Sequence, residues 1–188
     1  MGKLTILLGG ARSGKSTLAE KLAAQRSERV LYVATAIPFD DEMKLRIRNH
    51  KEQRPNSWKT METPTGIGKA VQDEVQSVDI VLLDCLTLLV NNLFMEFSGD
   101  PDHPDEGQFS KALEREVEDI VTAIASSTAN WIIVSNEVGL GLVPPYPLGR
   151  VYRDLLGRAN QRLVDLADEV YLLVAGLAVP LHEIALKL

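Results

Sequence analysis

The chain has 188 residues, 45% of them hydrophobic and 24% charged, and a formal net charge of −6. That length and balance predict one globular domain over residues 1–188, large enough to bury its own core. The acidic balance argues against general nucleic-acid binding, which needs an extended basic face, and no apolar run reaches membrane-spanning length.

The first predicted element is the apolar segment LTILLG. It runs straight into a glycine-rich loop with no small-residue cleavage pattern, so no signal peptide is expected. The loop is GGARSGKS, residues 9–16, which matches G-x-x-x-x-G-K-[ST]. Gly9, Gly10 and Gly14 are expected to let the backbone curl until its N–H groups converge on phosphate oxygens. The helix that follows, Ser16 to Arg26, presents Leu18, Leu22 and Ala23 on one face and adds its N-terminal dipole. Lys15 should reach the β- and γ-phosphates, and Ser16 should ligate Mg²⁺. A chance match in a tight turn is the alternative; the strand before and the helix after count against it.

The second strand, RVLYVATA, leads to a predicted helix from Asp41 to Arg54. Asp40 or Asp41 can cap it, and Pro55 disfavours helix at Arg54. Its end carries RIRNHKEQRP, with His50 among Arg46, Arg48, Lys51 and Arg54 and a single acid, Glu52. Met43, Ile47, His50 and Arg54 share one helical face. Two readings stay open from spacing alone. One is a half-buried histidine on a solvated basic helix. The other is a nucleophile: a neutral imidazole can attack phosphorus, nearby cations lower its pKa, and the same cations stabilise phosphate charge.

The third strand, DIVLLDC, ends in Asp84. An acid at that position beside a phosphate loop suits a ligand for Mg²⁺ or its water. Cys85 is the only cysteine, which excludes an internal disulfide and fits a reducing cytoplasm; it reads as a small buried residue rather than a nucleophile. Residues 97–108 read as an exposed loop, with His103 in solvent. A helix over 109–125 buries Leu113, Val117, Ile120, Val121 and Ile124, and NWIIVSN is the fourth strand. After a loop at 139–149, a helix from Leu148 to Ala167 leads to the fifth strand, EVYLLVA. His182 reads as structural or on the surface, and the three histidines lack metal-ligand spacing. Strands alternating with helices predict an α/β fold: a mainly parallel sheet, helices on both faces, and ligand beyond the carboxyl ends of the strands.

Taken in order, GGARSGKS, VATA, DDEMKLRIRNHKEQRPNSWKTMETP, DCLTLLVNN, SNEVGLGLVP and YRDLLGRANQRLVDLADEVYLLVAGL resemble the bifunctional adenosylcobinamide kinase/adenosylcobinamide-phosphate guanylyltransferase family of cobalamin biosynthesis. The RI-x-x-HK-x-x-RP-x-x-W and NEVG-x-G-x-VP segments make the resemblance specific. It implies a RecA-like P-loop NTPase fold and a homotrimer; the cytoplasmic expectation rests on the single cysteine. The resemblance implies phosphorylation of the corrinoid adenosylcobinamide by GTP or ATP, then transfer of GMP from GTP through a guanylylated histidine. That histidine falls on His50, with Lys15 as the other catalytic residue. The implied nucleotide contacts are Gly9, Gly10, Ala11, Arg12, Ser13, Gly14, Lys15 and Ser16, then Ala34, Thr35 and Ala36, then Lys51, Glu52, Gln53 and Arg54, with Glu62 and Asp84. Ser16 and Asp84 are the implied metal ligands. Glu137 is expected to order the site, and Arg150, Arg153 and Asn160 to contact substrate or a neighbouring subunit. A plain phosphate-loop kinase and a RecA-like ATPase or switch are the competing readings. The first needs no histidine; the second needs a basic face.

Overall fold

The computed structural model describes residues 2–97, 99–100 and 103–186. Its elements in chain order are β1 (Leu4–Gly9), α1 (Lys15–Arg26), β2 (Val30–Ala34), α2 (Asp41–Gln53), β3 (Lys59–Glu62) and α3 (Ile67–Ala70). A short 3-10 turn (Val75–Ser77), β4 (Ile80–Asp84), α4 (Leu86–Phe97), β5 (Gly99–Asp100), β6 (His103–Pro104) and α5 (Glu106–Ser126) follow. The chain closes with β7 (Asn130–Val134), α6 (Pro147–Val164), β8 (Glu169–Val174), β9 (Leu177–Pro180) and α7 (Leu181–Ile184).

Seven strands form one sheet in the order β3-β2-β4-β7-β1-β8-β9, parallel except for β9. The strands read as near-continuous apolar runs because both faces are covered, and alternate residues serve opposite faces. Leu4, Ile6 and Leu8 join one core with Leu89, Ile120 and Leu156 from α4, α5 and α6. Leu7, Tyr32, Leu82 and Ile132 pack on the other face against Ala19 and Ala23 of α1.

That last contact keeps Ala23 of the expected Leu18, Leu22 and Ala23 face but centres it elsewhere. Lys15, Ala19 and Ala23 form the buried line of α1, while Leu18 and Leu22 pack at its margin. The alanines bring the helix close to the sheet, so the phosphate loop at its start sits tight against β1. On α5 the expected residues Leu113, Val117, Ile120 and Ile124 are buried, with Val121 packed beside them.

Several elements had no reading in the sequence, β3, β9 and α4 among them. β3 and β9 are edge strands whose residues are mostly exposed, so they lack an apolar run. Only Cys85 separates α4 from the end of β4, with no turn residues to announce the helix. It buries Leu86, Leu89, Val90, Leu93 and Phe94, a regular helical stripe. The loop expected over 97–108 is correspondingly shorter, since Asp105 already caps α5 by accepting a hydrogen bond from the Gln108 backbone (2.9 Å). The His103 side chain lies outside the described residues. Among the described residues no helix is long and apolar enough to cross a membrane.

Candidate active site

Strand register sets the site. Ala34 is level with Glu62 on one side and Asp84 on the other, Asp84 is level with Val134, and Val134 with Leu7. The carboxyl ends of five strands therefore share one rim, and the phosphate loop leaves from β1 at one end of that row.

The loop is tied down on both sides. Gly9 has φ +151°, and a Cβ there would come within 2.5 Å of the Leu173 carbonyl oxygen on β8. Gly14, at φ +100°, is the left-handed residue from which α1 starts, and its carbonyl accepts from the Leu18 backbone (3.0 Å). Gly10 differs from expectation: it has no positive φ, and a Cβ would meet nothing within 4 Å. The second left-handed residue inside the loop is instead Arg12, at φ +57°. The turn between β8 and β9, Ala175 and Gly176, has both residues left-handed, as a two-residue hairpin requires, and Gly176 N–H donates to the Ser13 carbonyl (3.0 Å). Lys15 is buried and folded back on its loop, donating to the Gly10 carbonyl at 2.7 Å.

Beyond the rim lies a cavity of about 690 Å³ between the loop and α2. Asp40 supplies the cap of α2, accepting from the Met43 backbone at 2.6 Å. The face read from spacing is the face that lines the cavity: Met43, Ile47, His50 and Arg54 all border it. Lys51 borders it too and pairs with Glu62 at the end of β3. Arg48 is exposed and away from the cavity, and nothing is described of the Arg46 side chain. Of the described cations in the cluster, Arg48 is solvated while Lys51 and Arg54 face the site.

Under Arg54 lies Tyr32, which sequence reasoning missed. The Arg54 guanidinium sits 3.4 Å from the Tyr32 ring centroid, a cation–π contact, and Trp58 stacks near the same ring at 6.5 Å. The Tyr32 hydroxyl donates to Asp84 Oδ2 at 2.6 Å. Burial, and then the Asp84 charge, raise the Tyr32 pKa far above the ordinary phenol range, so the proton stays in that bond. Arg54 Nε and Nη1, His50 Nδ1 and Glu20 Oε1 are all buried with no hydrogen-bond partner. A tyrosine within a buried strand reads as core; only its register, opposite Leu82 and two residues before the rim, marks it.

The remaining expected contacts divide. Ala11, Arg12, Ser13, Gly14, Ser16, Ala34 and Ala36 border the cavity. Thr35 does not: fully buried, its hydroxyl donates to the Cys85 carbonyl (2.8 Å) and accepts from the Cys85 N–H (2.9 Å), clasping β2 to the end of β4. Glu52 is exposed outside the cavity, and the Gln53 side chain is not described. Burial, helped by the Asp84 charge, pushes the Cys85 thiol up to about 12, which keeps it protonated and poorly nucleophilic. Glu137 Oε1 accepts from Gly139 N–H (2.6 Å) and its backbone donates to Gly9 O (3.1 Å), an ordering role. Asn160 is 5% exposed, accepts from the Ser135 hydroxyl (2.7 Å) and donates to the Asn136 carbonyl (3.1 Å). Arg150 donates to the Pro144 and Pro145 carbonyls, bracing the preceding loop.

The profile of the family described as cobinamide kinase / cobinamide phosphate guanyltransferase matches residues 5–181. The chain belongs to that family. Among its relatives, the bifunctional adenosylcobalamin biosynthesis protein CobU of Escherichia coli (strain K12) is 40% identical over 179 residues, covering 94% of this chain and 98% of that protein. CobU of Salmonella typhimurium is 40% identical over 178 residues, and CobP of Pseudomonas aeruginosa 39% over 176, each covering 94% of this chain and 98% and 95% of those proteins. Two solved structures share the family's architecture at low identity. A RadB recombinase superposes with TM-score 0.52 at 15% identity, covering 91% of this chain and 74% of that one. An ATPase of a bacterial type III secretion system gives 0.57 at 11%, covering 100% and 59%. They show a RecA-like fold.

Proposed function

We propose that this chain catalyses both reactions of its family's description. In the first, the terminal phosphoryl group of GTP or ATP passes to the hydroxyl of the aminopropanol arm of adenosylcobinamide. The phosphorus–oxygen bond to the nucleoside diphosphate breaks as the bond to the hydroxyl oxygen forms. Lys15 and the backbone N–H groups of residues 9–16 bind the transferred charge, with Lys15 exchanging its present carbonyl partner for phosphate oxygens. In the second reaction, an imidazole nitrogen of His50 attacks the α-phosphorus of GTP, expelling pyrophosphate. The phosphate of adenosylcobinamide phosphate then attacks the same phosphorus, releases His50, and gives adenosyl-GDP-cobinamide.

The observation that supports this reading is that His50 and Lys15 line one cavity. A plain kinase has no use for a histidine there. Arg54 and Lys51 border the same space and can offset phosphate charge as it develops. Arg54 arrives with two buried donor atoms unused, as a phosphate-binding guanidinium would before its ligand.

Mg²⁺ fits the donors at the rim. Asp84 Oδ2 accepts from Tyr32, while Oδ1 accepts from no described residue, and the Ser16 hydroxyl stands at the first turn of α1 in the same cavity. One carboxylate and one hydroxyl beside phosphate oxygens are a common magnesium setting. Bound there, the ion would neutralise charge on the phosphates. We also assign the enzyme to the cytoplasm and to a homotrimer. The exposed Leu140, Leu142, Val143 and Tyr146, between β7 and α6, support a subunit contact.

The test uses GTP labelled at its α-phosphate, with Mg²⁺ and no corrinoid. Wild type should acquire label that acid removes and alkali spares, the stability of a phosphoramidate, and His50→Ala should acquire none. No label on either protein, with GTP binding verified, leaves the plain kinase as the better reading.

A further inference from the structure

Two orphaned polar atoms face each other beside the cavity, whose lining includes His50. Glu20 Oε1, from α1, lies 3.8 Å from His50 Nδ1, from α2. Both atoms are buried and neither has a hydrogen-bond partner. A buried acceptor and a buried ring nitrogen left unpaired are each costly, and such pairs call for a reason. An approach of about 1 Å would join them at ordinary hydrogen-bond length.

We propose that Glu20 is the positioning residue of the guanylyl-transfer step, holding His50 by its Nδ1–H so that Nε2 is the attacking atom. This rests on the reading of His50 as the nucleophile. A carboxylate on one ring nitrogen fixes the tautomer and leaves the lone pair on the other. Bonds and charge balance through both halves of the transfer. The Nε2–phosphorus bond forms as the bond from the α-phosphorus to the bridging oxygen breaks, and pyrophosphate departs. The Nδ1 proton stays on the ring, where the Glu20 carboxylate offsets the positive charge the ring acquires. When the phosphate of the second substrate attacks, the Nε2–phosphorus bond breaks and the ring returns neutral with its proton in place.

The placement of Glu20 links the two halves of the site. It follows Ser16 by four residues on α1, one turn along the same face. The helix that begins at the phosphate loop therefore also carries the group that orients the nucleophile. Other charged groups nearby include Arg54, above the Tyr32 ring, Asp84, below its hydroxyl, and Lys51, which pairs with Glu62. Arg54 and Glu20 act with opposite sign on Tyr32. None of these is bonded to His50, so among the described residues Glu20 is the carboxylate that reaches its ring.

The test compares wild type, Glu20→Gln and Glu20→Ala as full-length proteins. Two readouts are taken: the single-turnover rate of labelling from α-labelled GTP, and the ¹⁵N signals of histidine-labelled protein. Glu20→Ala should lose about 100-fold in labelling rate and Glu20→Gln about 10-fold, the range for losing a group that orients a ligating or reacting histidine. The ratio of labelling to phosphorylation should fall with it, while GTP affinity stays within about twofold, as for an interaction made only in the transition state. The wild-type spectrum should show His50 protonated at Nδ1 alone, and Glu20→Ala a mixture of tautomers. Labelling within about twofold of wild type in both variants, with an unchanged tautomer, overturns the proposal. Should Glu20→Ala not fold, Glu20→Gln alone decides by the same two readouts. A wild type that takes no label overturns the nucleophile reading instead, and the ¹⁵N signals then test the Glu20–His50 pair separately.

Discussion

Gly9 and Gly10 stand side by side in one motif and carry different burdens. At Gly9 a methyl group would press to 2.5 Å on the Leu173 carbonyl, and the backbone is already at φ +151°. At Gly10 the same methyl meets open space. Gly9→Ala should therefore part β1 from β8 and cost about 2–3 kcal/mol, while Gly10→Ala should stay within about 0.5 kcal/mol. Urea denaturation of the two ligand-free variants decides it, and equal losses would refute the distinction. The motif could not separate the two, because the demand comes from a carbonyl on β8, over 160 residues later in the chain. Tyr32 and Glu20 were hidden for a similar reason. Their partners, Asp84, Arg54 and His50, are distant in sequence, so no local spacing announces them. The placement of His50, Arg54 and Asp84 was legible because each lies in a stretch whose local pattern already fixes a face or a strand end.

Among the elements, legibility followed burial. The five strands covered on both faces were readable, and the edge strands β3 and β9 were not. One long-range tie between elements makes a pH prediction. Arg26, at the end of α1, donates to Glu169 Oε2 on β8 (2.8 Å) and to Thr5 Oγ1 on β1 (3.2 Å), and Thr5 donates to the same Glu169 oxygen (3.0 Å). The hydrogen bond from Arg26, reinforced by Thr5, holds the Glu169 carboxyl below the usual glutamate range. The folded state then binds this proton less readily than the unfolded chain. Its contribution is complete above the unfolded value of about 4.3 and is lost as pH falls through the depressed folded value. With both side chains under a third exposed, Glu169→Gln should cost about 0.5–1 kcal/mol at neutral pH. Urea midpoints of the two proteins should converge as pH is lowered below about 4. A gap that persists in acid would show that the loss is not electrostatic.

At the scale of the whole molecule, the chain is acidic, yet cations gather at one edge of the sheet. That arrangement suits a small anionic ligand held in a cleft rather than a long polyanion on a face. The parallel sheet and the cavity beyond its strand ends were legible from alternation alone. The strand order was not, because apolar runs specify burial and not neighbours.

The homotrimer was implied by resemblance and not by composition, and the structure offers a place to test it. Leu142 is 96% exposed, Leu140 83%, Tyr146 74% and Val143 65%, all within one short segment. Arg150 fixes the end of that segment through the Pro144 and Pro145 carbonyls, so the apolar side chains project from an ordered support. A monomer would leave this patch in water, whereas a subunit contact would remove it. If the proposed homotrimer holds, wild type should run in light scattering as three copies of the 20.7 kDa chain. A charge at its most exposed point, Leu142→Glu, should shift the mass toward one copy while the helical circular dichroism stays unchanged, because a desolvated, unpaired carboxylate penalises the contact and not the fold. A wild type of single-chain mass would refute the trimer. A Leu142→Glu that remains trimeric would place the contact elsewhere on the surface.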